Sequence, residues 1–192
     1  MEEKTNKAVI GFDMDGVVID HSQNKLKLAE KFGYKISLKE TPSEIMRKIM
    51  GNDRYQEIQY FLFGDSEIAL TPPLMPHIER TLEYVQKEQI PYFLISRRRE
   101  PQIAIELLKL RGVWPKYFND QNSFFVTSIE GKNIKSKELA VTHYIDDEVR
   151  VLEKLTDVPN RFLFDCYNSF EENSLYTRLQ SWQEFPKKIL RA

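Results

Sequence analysis

Asp13 and Asp15 stand two residues apart where an apolar run ends, in Gly11-Phe12-Asp13-Met14-Asp15-Gly16-Val17-Val18. Residues two apart on a strand project to the same side. A carboxylate with a reference pKa near ~3.9 is ionised at neutral pH and can act as a nucleophile without a base. A second acidic pair, Asp146-Asp147, follows Thr142-His143-Tyr144-Ile145, and a hydroxyl, Ser96, follows Pro91-Tyr92-Phe93-Leu94-Ile95. Lys132, Lys135 and Lys137 precede the second acidic pair. Plain structural readings stand beside the chemical ones. The first segment is also an Asp-rich turn bent at Gly16, and the second acidic pair is also a helix N-cap with a charged first turn.

The elements that would carry these residues are readable. Five short apolar runs, at 8–12, 91–95, 124–127, 142–145 and 161–164, are nearly continuous, so each is expected to be a strand buried on both faces. Helical patterns lie between them. Ile103, Leu107 and Leu110 mark one, with Pro101 near its first turn and Gly112 past its end. Further helices are expected at 76–88, 132–140, 148–155 and 182–190. Strands alternating with helices predict a doubly wound, Rossmann-like α/β domain with a parallel sheet of about five strands. Sites in such sheets form beyond the carboxyl ends of strands, where Asp13 and Asp15 fall.

Residues 21–75 differ, because they hold helical patterns and no strand. Helices are expected at 23–32 and 43–50. A third is expected from Asp53, with Asp53 as N-cap, Gln56 completing a capping box, and Tyr55, Ile58, Phe61 and Leu62 on its apolar face. Thr71-Pro72-Pro73 closes the segment. The organisation expected is a core of 1–20 and 76–192, with a helical insertion at 21–75.

Composition limits the partners. The 192 residues are 41% hydrophobic, 12% aromatic and 30% charged, which suits one folded domain. With 28 basic against 29 acidic side chains the net charge is -1, so no global field draws in nucleic acid or anionic lipid. Cys166 is the sole cysteine, which excludes an intramolecular disulfide and a cysteine-rich zinc site. Residues 1–7 are polar, with no signal-peptide apolar region, and no window has the apolar length of a membrane span. A cytoplasmic protein is expected, with no membrane or nucleic-acid partner.

The acidic segment resembles the first signature of haloacid dehalogenase (HAD) superfamily phosphatases, Asp-x-Asp-Gly at the end of the first strand. The likeness continues in order through Ser96, a lysine and Asp146-Asp147. It implies a phosphatase with Asp13 as nucleophile, and Asp15 as an acid that protonates the leaving oxygen and then activates water. Lys132, preceded by Gly131, fits the family's lysine, with Lys135 as the alternative and Lys137 as a solvated helix residue. Ser96, Lys132 and Gly16 would bind the phosphoryl group. The implied cofactor is Mg2+, held by the Asp13 carboxylate, the Asp15 carbonyl and Asp146, with Asp147 binding directly or through water. An anionic ester repels an attacking carboxylate, so such a site must supply positive charge.

The same resemblance makes residues 21–75 a helical cap that selects the substrate, with Tyr55, Tyr60, Phe61 and Phe63 available to stack on a ring or to form the cap's own core. Phe162-Leu163-Phe164-Asp165-Cys166-Tyr167-Asn168 and Arg178-Leu179-Gln180-Ser181-Trp182 resemble segments of C-type 5'-nucleotidases and their bacterial relatives. They point to a small-molecule phosphate ester, a nucleoside monophosphate first. Arg97, the nearest of Arg97-Arg98-Arg99 to Ser96, is the candidate for gripping a second anionic group, against a solvated loop paired with Glu100. His21 is expected at the mouth between core and cap, and His143 within the core. A phosphotransferase or mutase with the same nucleophile, and a catalytically idle module that binds a phosphorylated ligand, are the competing readings. A dehalogenase is disfavoured by Asp15.

Overall fold

A computed structural model describes residues 8–189, so the expectations for residues 1–7 and for Leu190 fall outside the described residues. Six strands form one sheet in the order β3-β2-β1-β4-β5-β6: β1 (Ile10–Phe12), β2 (Tyr92–Arg97), β3 (Ser123–Val126), β4 (His143–Asp146), β5 (Asn160–Phe164) and β6 (Thr177–Leu179). Every pairing is parallel. β1 lies between β2 and β4, with Phe12 in register with Leu94 on one side and Ile145 on the other. The strand order reverses direction at β1, so the ends of β1, β2 and β4 frame the switch point of the sheet.

Between β1 and β2 run α1 (Ser22–Lys31), α2 (Ser43–Met50), α3 (Asn52–Phe63) and α4 (Ser66–Ala69), then α5 (Ile78–Lys87). The later strands are linked by α6 (Gln102–Leu110), α7 (Ile129–Glu138) and α8 (Val149–Lys154), and α9 (Phe185–Lys188) follows β6. Among the described residues, no helix is long and apolar enough to cross a membrane.

Alternation along the strands builds two apolar layers. Phe12, Leu94, Ile145, Phe162 and Phe164 point to one face and join Trp182 and Phe185, while Ile95, Tyr144 and Leu163 point to the other and join Val151 and Leu152. Trp182 stacks on Phe164 at 4.9 Å and donates its indole N–H to the Val17 carbonyl at 2.9 Å, fixing the turn that follows Asp13. Burying a side chain of this size contributes about 2–3 kcal/mol. Gly11 allows the close approach on the second face. A Cβ there would lie 2.5 Å from the Tyr144 ring, whose hydroxyl donates to the Ile95 carbonyl at 2.7 Å.

Helices α1 to α3 enclose a separate apolar cluster of Leu28, Ala29, Met46, Tyr55, Ile58 and Leu62. The chain enters and leaves this region side by side. Asp20 N–H donates to the Pro73 carbonyl, and Met75 N–H to the Val18 carbonyl.

The structure departs from the sequence reading in several places. A sixth strand, β6, lies beyond the five expected, because Thr177-Arg178-Leu179 is short and only Leu179 is buried. β3 is half-buried along its length instead of buried on both faces, because it forms the sheet edge. Helix α3 begins at Asn52 with no side-chain cap, since Gly51 at φ +79° makes the turn into it, and Asp53 caps nothing. The capping box occurs elsewhere, where Ser37 and Glu40 satisfy each other at the entry to a single 3₁₀ turn. Helix α7 starts three residues before the position expected, because the Ser128 hydroxyl accepts from Gly131 N–H and caps it.

Candidate active site

Asp13 is the first residue past β1, and its N–H donates to the Ile145 carbonyl of β4 at 2.9 Å. Asp146 ends β4, so the neighbouring strands deliver the two carboxylates to one place. Lys132 reaches them from α7. Its Nζ lies 2.9 Å from Asp13 Oδ1 and 2.7 Å from Asp146 Oδ2, and all three residues are buried. Asp13, Asp146 and Asp147 each offer a carboxylate oxygen, and these oxygens lie within 4.8 Å of one another.

Burial pushes Asp146 up to about 7, against the pull of Lys132, and raises Asp13 and Asp147 as well. Burial alone would lower the Lys132 ammonium, but Asp13 and Asp146 outweigh it and raise it. Lys132 meets Asp13 and Asp146, and Asp147 feels the Lys25 ammonium without touching it, so the three carboxylates, when ionised, exceed the two ammonium groups by one negative charge. A small, hard divalent cation would balance that excess, and the three carboxylates form an all-oxygen donor set of the kind Mg2+ takes. Lys135 and Lys137 take no part, being paired with Glu138 and Asp157 on the outer side of α7.

Gly16 adopts φ +79°, and a Cβ at this position would lie 2.3 Å from Asp147 Oδ2. Its role in the fold is therefore to leave room for that carboxylate. Ser96, in β2, is fully buried, and its hydroxyl has no hydrogen-bond partner among the described residues. Neither Gly16 nor Ser96 belongs to the wall of the main cavity. An unpartnered buried hydroxyl is an uncommon expense that a bound oxygen would relieve.

The cavity, about 610 Å³, opens between the strand ends and the helices of residues 21–75. Asp13, Asp15, Lys132 and Asp147 line its core side, and Lys25, Gln59, Tyr60 and Phe63 its helical side. Of the four aromatics that could stack on a ring, Tyr55 is buried in the helical cluster and Phe61 packs on Phe32 at 6.0 Å. Tyr60 and Phe63 face the cavity.

Asp15 departs most from its expected state. Arg98 Nη2 donates to both of its oxygens, at 2.7 and 2.8 Å, and His21 Nε2 lies 2.7 Å from Oδ1. Burial would raise the Asp15 carboxyl, but Arg98 and then His21 hold it well below the usual carboxylate range. Burial keeps His21 below its ordinary value, so the ring is a neutral donor to an ionised Asp15. A guanidinium on both oxygens favours the ionised carboxyl in this arrangement.

Arg98 and Lys25 are the site residues the sequence reading missed. Arg97 lines the cavity, yet it is Arg98 that turns inward, its guanidinium 4.0 Å from the Phe63 ring centroid. Only the position of Arg98 after Ser96 hinted at this. Lys25, on α1, has no signal in the sequence beyond its place near Asp20-His21.

Residues 165–170 and Arg178 hold one loop in place. Asp165 accepts from the N–H groups of Ser169 and Phe170 and lies 3.4 Å from Arg178, closing the loop after β5. Asp165, Cys166 and Tyr167 line a separate small cavity with Gly16 and Lys25.

No protein-family model matches the sequence, and no curated protein matches it. Solved structures do resemble the fold. A HAD-superfamily hydrolase from Ehrlichia chaffeensis aligns with TM-score 0.59 at 13% identity, over 95% of this chain and 96% of that one. A HAD family hydrolase from Deinococcus radiodurans R1, with bound phosphate and sodium, aligns with TM-score 0.60 at 11% identity, over 93% and 94%. A predicted phosphoglycolate phosphatase from Haemophilus somnus 129pt aligns with TM-score 0.59 at 11% identity, over 96% and 98%. Across nearly its whole length, this chain has the fold of HAD-superfamily hydrolases.

Proposed function

We propose that this chain is a magnesium-dependent phosphomonoesterase that works through an aspartyl-phosphate on Asp13. The observation that carries this reading is Lys132 bridging Asp13 and Asp146 beside Asp147, at the switch point of the sheet. Asp13 keeps one carboxylate oxygen free of Lys132 to attack phosphorus as the bond to the leaving alcohol breaks. Once Arg98 has let go, Asp15 takes up a proton from solvent and gives it to the leaving alcohol, then takes a proton from the water that attacks the aspartyl-phosphate. Lys132 receives a phosphoryl oxygen, and the unpartnered Ser96 hydroxyl, behind the cavity wall, receives another only when the end of β2 opens. Asp13, Asp146, Asp147 and the Asp15 carbonyl would hold Mg2+, which supplies compensating positive charge when bound.

The helices of residues 21–75 act as a cap over the cavity and select the leaving group. The substrate is a small phosphorylated metabolite, with nucleoside monophosphates the first class to try on the strength of residues 162–168 and 178–182. No membrane or nucleic-acid partner is part of this reading. Phosphate release from p-nitrophenyl phosphate and a panel of phosphorylated metabolites, with Mg2+ and with a chelator, tests it. Release that needs Mg2+ supports the reading, and full turnover in the chelator contradicts it.

A further inference from the structure

Lys25 is buried, with 7% of its surface exposed, yet its ammonium touches only the Ser43 hydroxyl, at 3.4 Å. Among the described residues it has no carboxylate within 4.0 Å. Of the acids in the cavity wall, Glu148 pairs with Arg150 and Asp15 is held by Arg98, while Asp147 attracts the Lys25 ammonium without an ion-pair contact. A buried ammonium has three protons to place, and leaving them unmet is costly. Nearby, the Tyr55 hydroxyl is fully buried and also finds no partner in hydrogen-bonding geometry. The three polar groups come from α1, α2 and α3, so the helical cap builds this spot by its own packing.

Lys25 and Ser43 line the same cavity as Asp13, but from the cap, whereas Lys132 serves the phosphoryl end from α7. Arg97, another cation of the cavity wall, likewise has no carboxylate within 4.0 Å among the described residues. We infer that Lys25 and Ser43, with Arg97, form a subsite for a second anionic group, a carboxylate or a second phosphate, on the leaving half of the substrate. The inference rests on the phosphatase reading and narrows its substrate from nucleoside monophosphates toward small doubly anionic esters. Base stacking is left to Tyr60 alone, because Tyr55 and Phe61 are held in the cap's own packing and Phe63 is covered by Arg98.

The test compares 3-phosphoglycerate with glycerol 3-phosphate, which differ by a carboxylate in place of a hydroxymethyl group, in Mg2+. The wild type should prefer 3-phosphoglycerate in kcat/KM by at least about tenfold. Lys25→Met should bring the ratio close to one, Ser43→Ala should lower it, and Lys25→Arg should keep most of it. Turnover of p-nitrophenyl phosphate without that preference in the wild type, or a preference that survives in a folded Lys25→Met, overturns the subsite alone. No release even from p-nitrophenyl phosphate overturns the phosphatase reading and the subsite together.

Discussion

Arg98 grips Asp15 through both carboxylate oxygens while lying against Phe63, so one guanidinium ties the acid after β1 to α3. Removing one partner of a largely buried pair strands the other. Arg98→Met is expected to cost about 2–3 kcal/mol. Combining it with Asp15→Asn should cost at least ~1 kcal/mol less than the two singles added. Denaturant titration of the four proteins measures the coupling, and additive losses would show that the pair is not energetically real.

Gly16 sits where no side chain fits beside Asp147. Gly16→Ala should strain the turn by roughly 1–2 kcal/mol and displace the Asp147 carboxylate. A thermal melt reads the first effect. A magnesium titration of phosphate release reads the second, with half-activation expected to move to higher Mg2+ by about tenfold or more.

Trp182 anchors Val17 through a buried hydrogen bond. Trp182→Phe leaves that carbonyl unpaired and should cost roughly 1–3 kcal/mol. KM should hold, because the indole lies in the core and not in the cavity wall. A raised KM with unchanged stability would instead give the Arg178-to-Trp182 stretch a direct role in substrate binding.

Cys166 is half-buried, and burial, with Asp20 and Asp165 adding, pushes its thiol up to about 11. Only the thiolate reacts with alkylating agents, so labelling of the folded protein should be slow at pH 8 and rise steeply toward pH 11. Mass spectrometry after timed iodoacetamide treatment measures it. Complete labelling within the time a free thiol needs at pH 8 would refute the shift.

The sequence made the sheet and the acids at its edge legible because buried strands leave unbroken apolar runs and the polar residue that ends each run stands out. Asp13 after β1 and Asp146 closing β4 are of this kind. Lys132 was legible only as one of three lysines, and the outer pairing of Lys135 and Lys137 separates them in the structure. Lys25 and Arg98 were hidden for another reason. A lysine on a short amphipathic helix and an arginine among three read as solvated until α1 to α3 pack beside the sheet, and that burial comes from tertiary packing. β6 was hidden because a three-residue edge strand with one buried side chain leaves almost no pattern.

Asp13 carries the whole account, and its replacement by asparagine tests it most directly, since the amide keeps the shape and loses the attacking charge. Phosphate release from p-nitrophenyl phosphate in Mg2+ should fall by at least about a thousandfold in Asp13→Asn. The variant should melt as a folded protein. Activity within tenfold of the wild type would contradict Asp13 as the nucleophile.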